Sequence, residues 1–424
     1  MTGACVHRRR FLKLAAATAA TIPAPALSQG RGPRVVIIGG GFGGASCARA
    51  LRKADPRIAV TLVETNAIYT APPQSNAAIA GLVELKHQQF GYERIKAAGI
   101  DVAIGAATAV DPGKRMVTLA GGPTLSYDRL VVSPGIDFRA GAIPGYDRKA
   151  AQLMPAAWND GAEIALLRRQ LEAMDDGGTV VITSPANPAR CPPAPYERAS
   201  LIAHYLKAKK PRSKVIVLDA KESFTMQKLF EAAWQELYPG LIEWVGLSNG
   251  GSLSAVEPAT KTIVTDFDRY KAAVASIIPP QKAGHAADIA GVADRTGWCP
   301  VDPATFESKL QRNIHVIGDA AIAGAMPRSA SAAHSQGAIC AAAIAALLAG
   351  RPPAAPTLIS SCYSLIAPDY AISQRGTYRP VDGQYTEADG GAIISPAGAP
   401  RAVRKTEAEQ ADAWYRDITG EVFG

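Results

Sequence analysis

The sequence predicts an α/β protein that contains two dinucleotide-binding folds of the Rossmann-like kind. An apolar strand at residues 34–38 runs directly into a glycine-rich loop and a helix, which indicates the first fold. A second buried strand at residues 178–183 indicates another fold of this class further along the chain. The chain has 424 residues, 48% of them hydrophobic, which suffices for two or three domains.

The loop of the first fold has the spacing G-x-G-x-x-G, formed by Gly39, Gly41 and Gly44. These glycines permit, in turn, a tight turn, close approach of the backbone to a pyrophosphate, and packing of the helix on the strand. The next strand, residues 59–63, ends at Glu64, an acid suited to accept hydrogen bonds from a ribose hydroxyl. Together these features predict a dinucleotide site, but the acid does not distinguish FAD from NAD.

Two later segments favour FAD. Residues 127–135 are predicted to form a strand and a small-residue turn with Ser133 and Gly135, similar to the segment that crosses between domains in flavoproteins with two dinucleotide folds. Residues 313–319 form a strand that ends in Gly-Asp and resembles the second FAD motif of that class. The resemblance implies that Asp319 holds the ribityl chain of the flavin, and a helix N-cap is the structural alternative.

The second fold lacks the loop that an NAD(P)H site requires. After its first strand the chain reads SPANPARCPP over residues 184–193, without any G-x-G-x-x-G. Prolines lack the N–H groups that bind a pyrophosphate, and their rings obstruct its close approach. We therefore predict that the domain from 146 to 292 has no NAD site, and that a small electron donor reaches the flavin by another way.

The first 28 residues predict an export signal. Residues 8–13 read RRRFLK, the twin-arginine pattern of bacterial export, and a short Ala/Thr-rich stretch leads to Ala-Leu-Ser at 26–28, similar to a cleavage site. This predicts twin-arginine export of a folded protein to the periplasm. No other apolar run reaches about 18 residues, which predicts that the mature chain has no integral membrane segment.

The charge pattern argues against a nucleic-acid partner. Four of the eight excess positive charges lie in the first 28 residues, which leaves a net charge of +4 scattered over the rest. A nucleic-acid footprint needs a basic stripe, and the 6% of aromatic residues form no evident stacking platform.

The cysteines do not by themselves reveal their role. Cys191 lies where the missing phosphate loop would be, and Cys362 lies in SSCYSL far along the chain. From spacing alone, an ordinary stabilising disulfide in an oxidising compartment is the favoured interpretation of this pair, with redox chemistry as the alternative. Cys47 and Cys340 lie on predicted Ala-rich helices and are interpreted as packing residues. With no metal-ligand spacing and no C-x-x-C-H, the sequence predicts neither a metal site nor a haem on this chain.

Several long segments resemble the flavoprotein subunit of flavocytochrome c sulfide dehydrogenase, a relative of sulfide:quinone oxidoreductase. The segments that carry the resemblance are 190–200 (RCPPAPYERAS), 298–302 (WCPVD), 315–319 (HVIGD), 362–364 (CYS), 370–373 (YAIS) and 414–418 (WYRDI). The resemblance implies a redox-active disulfide between Cys191 and Cys362 beside the flavin. It further implies that Glu197 is the nearby acid/base residue and that Trp414 lines the flavin pocket. A helix-start carboxylate and C-terminal packing remain the respective structural alternatives.

The same resemblance implies a function and an architecture. The expected reaction is FAD-dependent oxidation of a small inorganic sulfur compound, sulfide, with a c-type cytochrome subunit as electron acceptor. The expected fold is of the glutathione-reductase type, with a split FAD domain (33–145 and 293–348), the second fold between its parts, and a C-terminal interface region (355–424). The family tethers FAD through a cysteine, but residues 69–76 (YTAPPQSN) contain none, which predicts non-covalent FAD.

Three rival functions stay open. A sulfide:quinone oxidoreductase needs an element that reaches the bilayer, and the charged stretch 401–424 is a poor anchor. A type II NADH dehydrogenase is disfavoured by the proline-filled second loop. A non-catalytic flavoprotein scaffold is disfavoured by the retained Cys191 and Cys362.

Overall fold

The computed structural model describes residues 32–158, 161–388 and 390–424, so the predicted export signal at 1–28 lies outside the described residues. The α-helices of the described residues follow one another along the chain. They are α1 (Phe42–Ala54), α2 (Ser75–Ala80), α3 (Glu93–Ala97), α4 (Arg148–Leu153), α5 (Gly161–Ala173), α6 (Ala194–Lys209), α7 (Gln227–Leu237), α8 (His285–Ile289), α9 (Ala330–Leu348) and α10 (Arg401–Phe423).

Two parallel sheets form the centre of the molecule. The strands of the first sheet, in spatial order, are Ile314–Val316, Arg129–Val132, Arg34–Ile38, Ala59–Glu64 and Asp101–Ile104. The strands of the second sheet, in spatial order, are Ile242–Val245, Lys214–Asp219, Thr179–Ser184 and Val274–Ser276. Central strands such as Arg34–Ile38 are nearly continuous apolar runs, because helices or neighbouring elements cover both faces of a parallel sheet. The architecture is therefore mixed α/β.

An antiparallel sheet follows α9. It consists of Leu358–Ala367, Tyr370–Val381, Gln384–Glu387 and Ile393–Ile394. The other strands form small sheets: Tyr69–Thr70 with Gln89–Phe90; Ala107–Asp111, Met116–Leu119 and Thr124–Ser126; Ile136–Phe138 with Gln281–Ala283; Leu253–Glu257, Thr262–Thr265 and Arg269–Lys271; and Cys299–Pro300 with Ala321–Ile322. Single 3₁₀ turns lie at Leu85–Gln88, Leu247–Asn249, Pro258–Thr260 and Gly318–Ala320.

Helices α1 and α9 approach each other closely because both carry glycine at their crossing. A Cβ atom added to Gly337 would lie only 2.5 Å from the Gly43 carbonyl oxygen. Within the described part of the chain, α9 alone is long and apolar enough to cross a membrane by length and composition, an exception to the expected absence of such runs. It packs against α1 and the C-terminal sheet, as the core helix of a globular domain does.

The last helix, α10, returns from the C-terminal sheet to the first fold. Its Phe423 ring packs against Phe42, Tyr69 and Phe90 with centroid distances of 5.5, 5.3 and 5.0 Å. Near its start, Arg404 and Glu407 form a buried ion pair with an N–O distance of 3.0 Å. Contacts at both ends therefore fix α10 across the face of the molecule.

Candidate functional site

A cavity of about 890 Å³ lies where the first fold, α6, the C-terminal sheet and α10 meet. It brings together almost every site residue that the sequence predicts. Those on its wall are Gly39, Gly41, Glu64, Ser133, Gly135, Cys191, Glu197, Asp319, Cys362 and Trp414. Only Gly44 is absent from the wall, because it faces the strand beneath α1.

The glycine loop is shaped by close backbone contacts. Gly39 has φ +101°, and a Cβ atom there would lie 2.1 Å from the Ser133 carbonyl oxygen. A Cβ atom on Gly44 would lie 1.9 Å from the Gly39 carbonyl oxygen. A Cβ atom on Gly41 would lie 3.0 Å from the Tyr69 hydroxyl. The backbone of this loop therefore borders open cavity space because its glycines carry no side chains. Such a surface fits a pyrophosphate.

Glu64 ends its strand at the edge of the cavity. Its Oε2 accepts a hydrogen bond from the Gly40 N–H (2.7 Å), and its Oε1 accepts one from the Asn66 N–H (3.1 Å). The carboxylate therefore steadies the glycine loop while bordering the space predicted for a ribose.

Ser133 and Gly135 form the turn after the strand Arg129–Val132. The Ser133 N–H donates to the Ile38 carbonyl at 2.8 Å, and Gly135 has φ +64°. This turn joins the neighbouring strand to the glycine loop and closes that side of the cavity.

Asp319 lies in the 3₁₀ turn Gly318–Ala320, well before the start of α9. The N-cap of α9 is instead Ser329, whose hydroxyl accepts from the Ala332 N–H at 3.1 Å, so the N-cap alternative for Asp319 is wrong. Its Oδ1 is buried with no hydrogen-bond partner among the described residues, and burial raises the pKa of Asp319. A buried, unsatisfied oxygen on the cavity wall fits a hydroxyl-bearing cofactor chain such as ribityl.

The structure brings Cys191 and Cys362 into hydrogen-bond contact as free thiols. Cys191 has φ +51°, and its N–H donates to the Arg328 carbonyl at 2.8 Å. This left-handed conformation is uncommon for a residue with a side chain. Cys362 lies in the strand Leu358–Ala367, opposite Gln374. The hydrogen bond with Cys191 and burial both raise the pKa of the Cys362 thiol.

Glu197 lies in the first turn of α6, with its carboxylate turned inward. One oxygen accepts from Asn76 Nδ2 (2.7 Å) and the other from the Leu365 N–H (2.9 Å). Burial raises the pKa of Glu197, and these two hydrogen bonds act against that rise. The alternative of an ordinary surface carboxylate is therefore wrong.

Trp414 is carried to the cavity by α10. Its ring packs at 6.1 Å from the ring of Tyr363, and the neighbouring Tyr415 hydroxyl donates to the His87 carbonyl at 3.0 Å. C-terminal packing and cavity lining are thus both features of this residue.

In the second fold, Asp219 holds the position at the end of its strand that Glu64 holds in the first fold, but its carboxylate has a different role. The strand Lys214–Asp219 lies parallel to Thr179–Ser184. In the first fold, Ala59–Glu64 lies parallel to Arg34–Ile38 in the same way. Yet Asp219 is fully buried and accepts hydrogen bonds from Tyr196 (2.5 Å), Trp244 (3.0 Å) and Lys221 (2.6 Å). These internal partners occupy the carboxylate that a nucleotide ribose would need. Sequence reasoning missed Asp219, although its place at the end of an apolar strand could have revealed it.

Sequence reasoning also missed Asn76 and Arg198, which surround Glu197. Both lie in segments quoted for other reasons, and no motif marks them. In the described parts of the chain, no cluster of three or more His, Cys, Asp or Glu side chains is arranged to hold a metal ion.

Three domain families, two of them parts of the same kind of flavoprotein, match segments of this chain. Residues 33–169 match the pyridine nucleotide-disulphide oxidoreductases. Residues 164–279 match the central part of the sulfide dehydrogenase [flavocytochrome c] flavoprotein chain, and residues 354–423 match the flavin-binding part of flavocytochrome c sulphide dehydrogenase.

Individual proteins show the same likeness. The sulfide dehydrogenase [flavocytochrome c] flavoprotein chain of Chlorobaculum thiosulfatiphilum is 61% identical over 44 residues, which are 10% of this chain and 92% of that sequence. A probable ferredoxin reductase from Castellaniella defragrans is 34% identical over 116 residues, covering 26% of this chain and 28% of the relative. The solved sulfide:quinone oxidoreductase of Aquifex aeolicus has a TM-score of 0.73 at 17% identity and covers 92% of both chains, which shows a shared fold.

The glycine loop, the unsatisfied Asp319 and these matches define a flavoprotein of the pyridine nucleotide-disulphide oxidoreductase class. The flavin-binding match indicates FAD as its cofactor. Within this class, the chain belongs to the family of flavoprotein chains of flavocytochrome c sulfide dehydrogenase. It is therefore an oxidoreductase.

Proposed function

We propose that this chain uses FAD to oxidise sulfide through a redox-active pair, Cys191 and Cys362, and passes the electrons to a c-type cytochrome subunit. The observation that carries the proposal is the contact between these two thiols on the wall of the cavity that fits FAD. The name of the Chlorobaculum relative supports the choice of donor and acceptor.

We further propose how FAD is held. Gly39, Gly41 and Gly44 shape the loop for its pyrophosphate, Glu64 faces a ribose, and Asp319 receives a ribityl hydroxyl. The segment 69–76 borders the cavity without a cysteine, which supports non-covalent binding. Ser133, Gly135 and Trp414 complete the flavin pocket. We propose a glutathione-reductase-type organisation for the whole chain, with the domain limits expected from the sequence.

In the proposed mechanism, bound FAD supplies a two-electron acceptor beside the cysteine pair. In the oxidised protein Cys191 and Cys362 share an S–S bond. Hydrosulfide forms a bond to one cysteine sulfur, the S–S bond breaks, and the other cysteine leaves as a thiolate. A second hydrosulfide then removes the added sulfur as a disulfane anion. The cysteine pair now carries two electrons, which it gives up as the S–S bond forms again.

Glu197 is proposed to take up and return the protons of these steps. Bond formation between hydrosulfide and the cysteine leaves the proton on the added sulfur. That proton is released when the added sulfur leaves as the disulfane anion, and the cysteine thiolate set free in the same step gains one. A carboxyl group whose pKa is raised by burial exchanges protons closer to neutral pH than an exposed one does. Glu197 also lies close enough to Cys362 for its charge to raise the pKa of that thiol.

We infer a periplasmic location, reached through the twin-arginine signal at residues 1–28. Cytoplasmic folding would allow FAD to bind before export. The expectations that haem is carried only by the partner and that no nucleic acid binds belong to the same proposal. The export route is tested by replacing Arg8 and Arg9, the twin arginines of the R-R-x-F-L-K pattern, with Lys. We expect this variant to keep the mass of the uncleaved chain, whereas the wild-type protein recovered from the periplasm should have the mass of the mature chain.

The central test is anaerobic. Sulfide is added to the FAD-loaded protein while the flavin spectrum is recorded, and cytochrome c is added afterwards. We expect bleaching of the flavin, then reduction of the haem. Cys191→Ser and Cys362→Ser should retain FAD but abolish bleaching. Cys340→Ala, which removes a thiol outside the cavity, should retain both FAD and bleaching.

Each outcome has a clear meaning. Full turnover in Cys191→Ser would refute the disulfide mechanism. Reduction of a short-chain quinone in place of cytochrome c would assign the chain to sulfide:quinone oxidoreductase activity, in line with its structural likeness. Bleaching by NADH alone would instead favour a pyridine-nucleotide dehydrogenase.

A further inference from the structure

Asn76 joins the two adjacent residues Glu197 and Arg198 of α6. Its Nδ2 donates to Glu197 Oε2 (2.7 Å) and to the Ala194 carbonyl (3.1 Å), while its Oδ1 accepts from Arg198 Nε (3.0 Å). A guanidinium only donates hydrogen bonds and a carboxylate only accepts them. The Arg198 guanidinium and the Ala194 carbonyl together therefore fix which end of the Asn76 amide faces Glu197.

Arg198 is itself held in place from several sides. The residue is 1% exposed, and its guanidinium donates to the carbonyls of Ala156 and Ala157, both at 2.6 Å, and to Ser276 Oγ at 2.7 Å. Because three groups from two other segments hold it, the guanidinium cannot turn away from Asn76 without breaking those hydrogen bonds. A buried side chain held in this way acts as a rigid support.

The charges around this network come from four elements. Arg198 faces Glu197 from the same helix, and Cys362 faces Glu197 from the C-terminal sheet. Cys191, in the loop before α6, lies near both Arg198 and Cys362. Glu163 of α5 lies near the Arg198 guanidinium. Burial lowers the pKa of Arg198 to about 10, which still leaves it positively charged at neutral pH.

We propose that Arg198 is a positioning residue that acts through Asn76 to keep Glu197 ionised beside the cysteine pair. The inference rests on the proposed role of Glu197 as a proton acceptor. Loss of Arg198 removes a nearby positive charge and the donor that holds the Asn76 oxygen. The Asn76 amide is then held less firmly, its hydrogen bond to the carboxylate weakens, and the protonated form of Glu197 is favoured.

The direct test follows the protonation of Glu197 in the FAD-loaded protein by infrared spectroscopy. The carboxyl band of Glu197 is identified as the one that disappears in Glu197→Gln. In Arg198→Gln and in Asn76→Ala we expect the midpoint of its titration to rise by about one pH unit, a roughly tenfold higher proton affinity. In the double variant the rise should be smaller than the sum of the two, because the residues act in one chain.

A matched control is Arg212→Gln, which removes an arginine whose side chain is 76% exposed and pairs with Asp176 rather than with a member of this network. It should leave the midpoint unchanged. The pH profile of flavin bleaching by sulfide provides a second readout, and its acid limb should move in the same direction as the infrared midpoint. If Arg198→Gln does not fold, Asn76→Ala alone decides.

The outcomes separate this inference from the proposed function. An unchanged Glu197 midpoint in Asn76→Ala with FAD retained overturns the positioning role. Glu197 would then have the same proton affinity with and without the Asn76 amide. If sulfide fails to bleach the wild-type flavin while the infrared midpoint shifts as expected, the positioning role stands and the proposed function is wrong.

Discussion

Replacement of Gly44 by alanine should separate α1 from the strand beneath it. The added Cβ would lie 1.9 Å from the Gly39 carbonyl oxygen and 3.2 Å from Ile37 Cγ2. Because Cβ atoms essentially never approach other atoms within 3.0 Å, the helix or the loop must move by roughly 1 Å. The obstructing atom is backbone, so no side-chain rotation relieves the clash.

The expected cost has two parts. Overpacking in a close-packed interior destabilises by about 1–3 kcal/mol. The same displacement moves the glycine loop on the cavity wall, so we expect Gly44→Ala to lose FAD as well as stability. FAD content is measured from the visible absorbance of the purified protein, and stability from urea unfolding of the FAD-free form.

Gly420→Ala is the matched control. Gly420 also lies in a helix, α10, but a Cβ atom there meets nothing within 4 Å. Since alanine favours a helix over glycine by about 1 kcal/mol, this variant should keep FAD and unfold at equal or higher urea concentration. A Gly44→Ala protein with full FAD and a wild-type urea midpoint would refute the steric reasoning.

Three further predictions concern the interior. Glu407→Ala leaves the Arg404 charge buried without its carboxylate and should lower the free energy of unfolding by about 3–5 kcal/mol, whereas Glu409→Ala on the exposed face of the same helix should change it by less than about 0.5 kcal/mol, both measured by urea unfolding. Burial lowers the pKa of His315 to about 4, so the unfolded chain takes up a proton at higher pH than the folded protein does. The free energy of unfolding should therefore fall as the pH drops from about 6.5 towards 4. Unfolding curves should show a smaller fall in His315→Gln, and an equal fall would contradict this. Because the pKa of Cys362 is raised, its alkylation in the reduced protein should still accelerate above about pH 10, as followed by mass spectrometry; a rate that levels off between about pH 9 and 10 would show an unperturbed thiol.

Local patterns were sufficient for the first fold. The apolar run at 34–38 and the acid-terminated run that follows became the strands Arg34–Ile38 and Ala59–Glu64, and the glycine pattern became the loop before α1. The helix begins at Phe42, so Gly43 and Gly44 lie within its first turn and bring its N-terminus against the loop. These features depend on a few dozen consecutive residues, so the sequence alone could predict them.

The surroundings of Glu197 could not be predicted in the same way. The hydrogen bond between Arg198 and Asn76 joins residues 122 positions apart, and that between Glu197 and the Leu365 N–H joins residues 168 apart. Neither contact leaves a spacing pattern in the sequence. The position of Asp219 at the end of an apolar strand is visible in the sequence, but its burial and its hydrogen bonds with Tyr196 and Trp244 are not.

The sequence by itself determined the α/β class, the glycine loop, the acid at position 64, the proline-filled second loop and, through resemblance, the family. Only the tertiary structure decided that Cys191 meets Cys362, that the Asp319 oxygen is unsatisfied and that α10 carries Trp414 to the cavity. The physical reason is that strands, turns and helix starts are governed by nearby residues, whereas burial and contact depend on how distant segments pack. Because burial also governs proton affinity, the acid–base properties of Glu197 and Cys362 belong to the folded molecule.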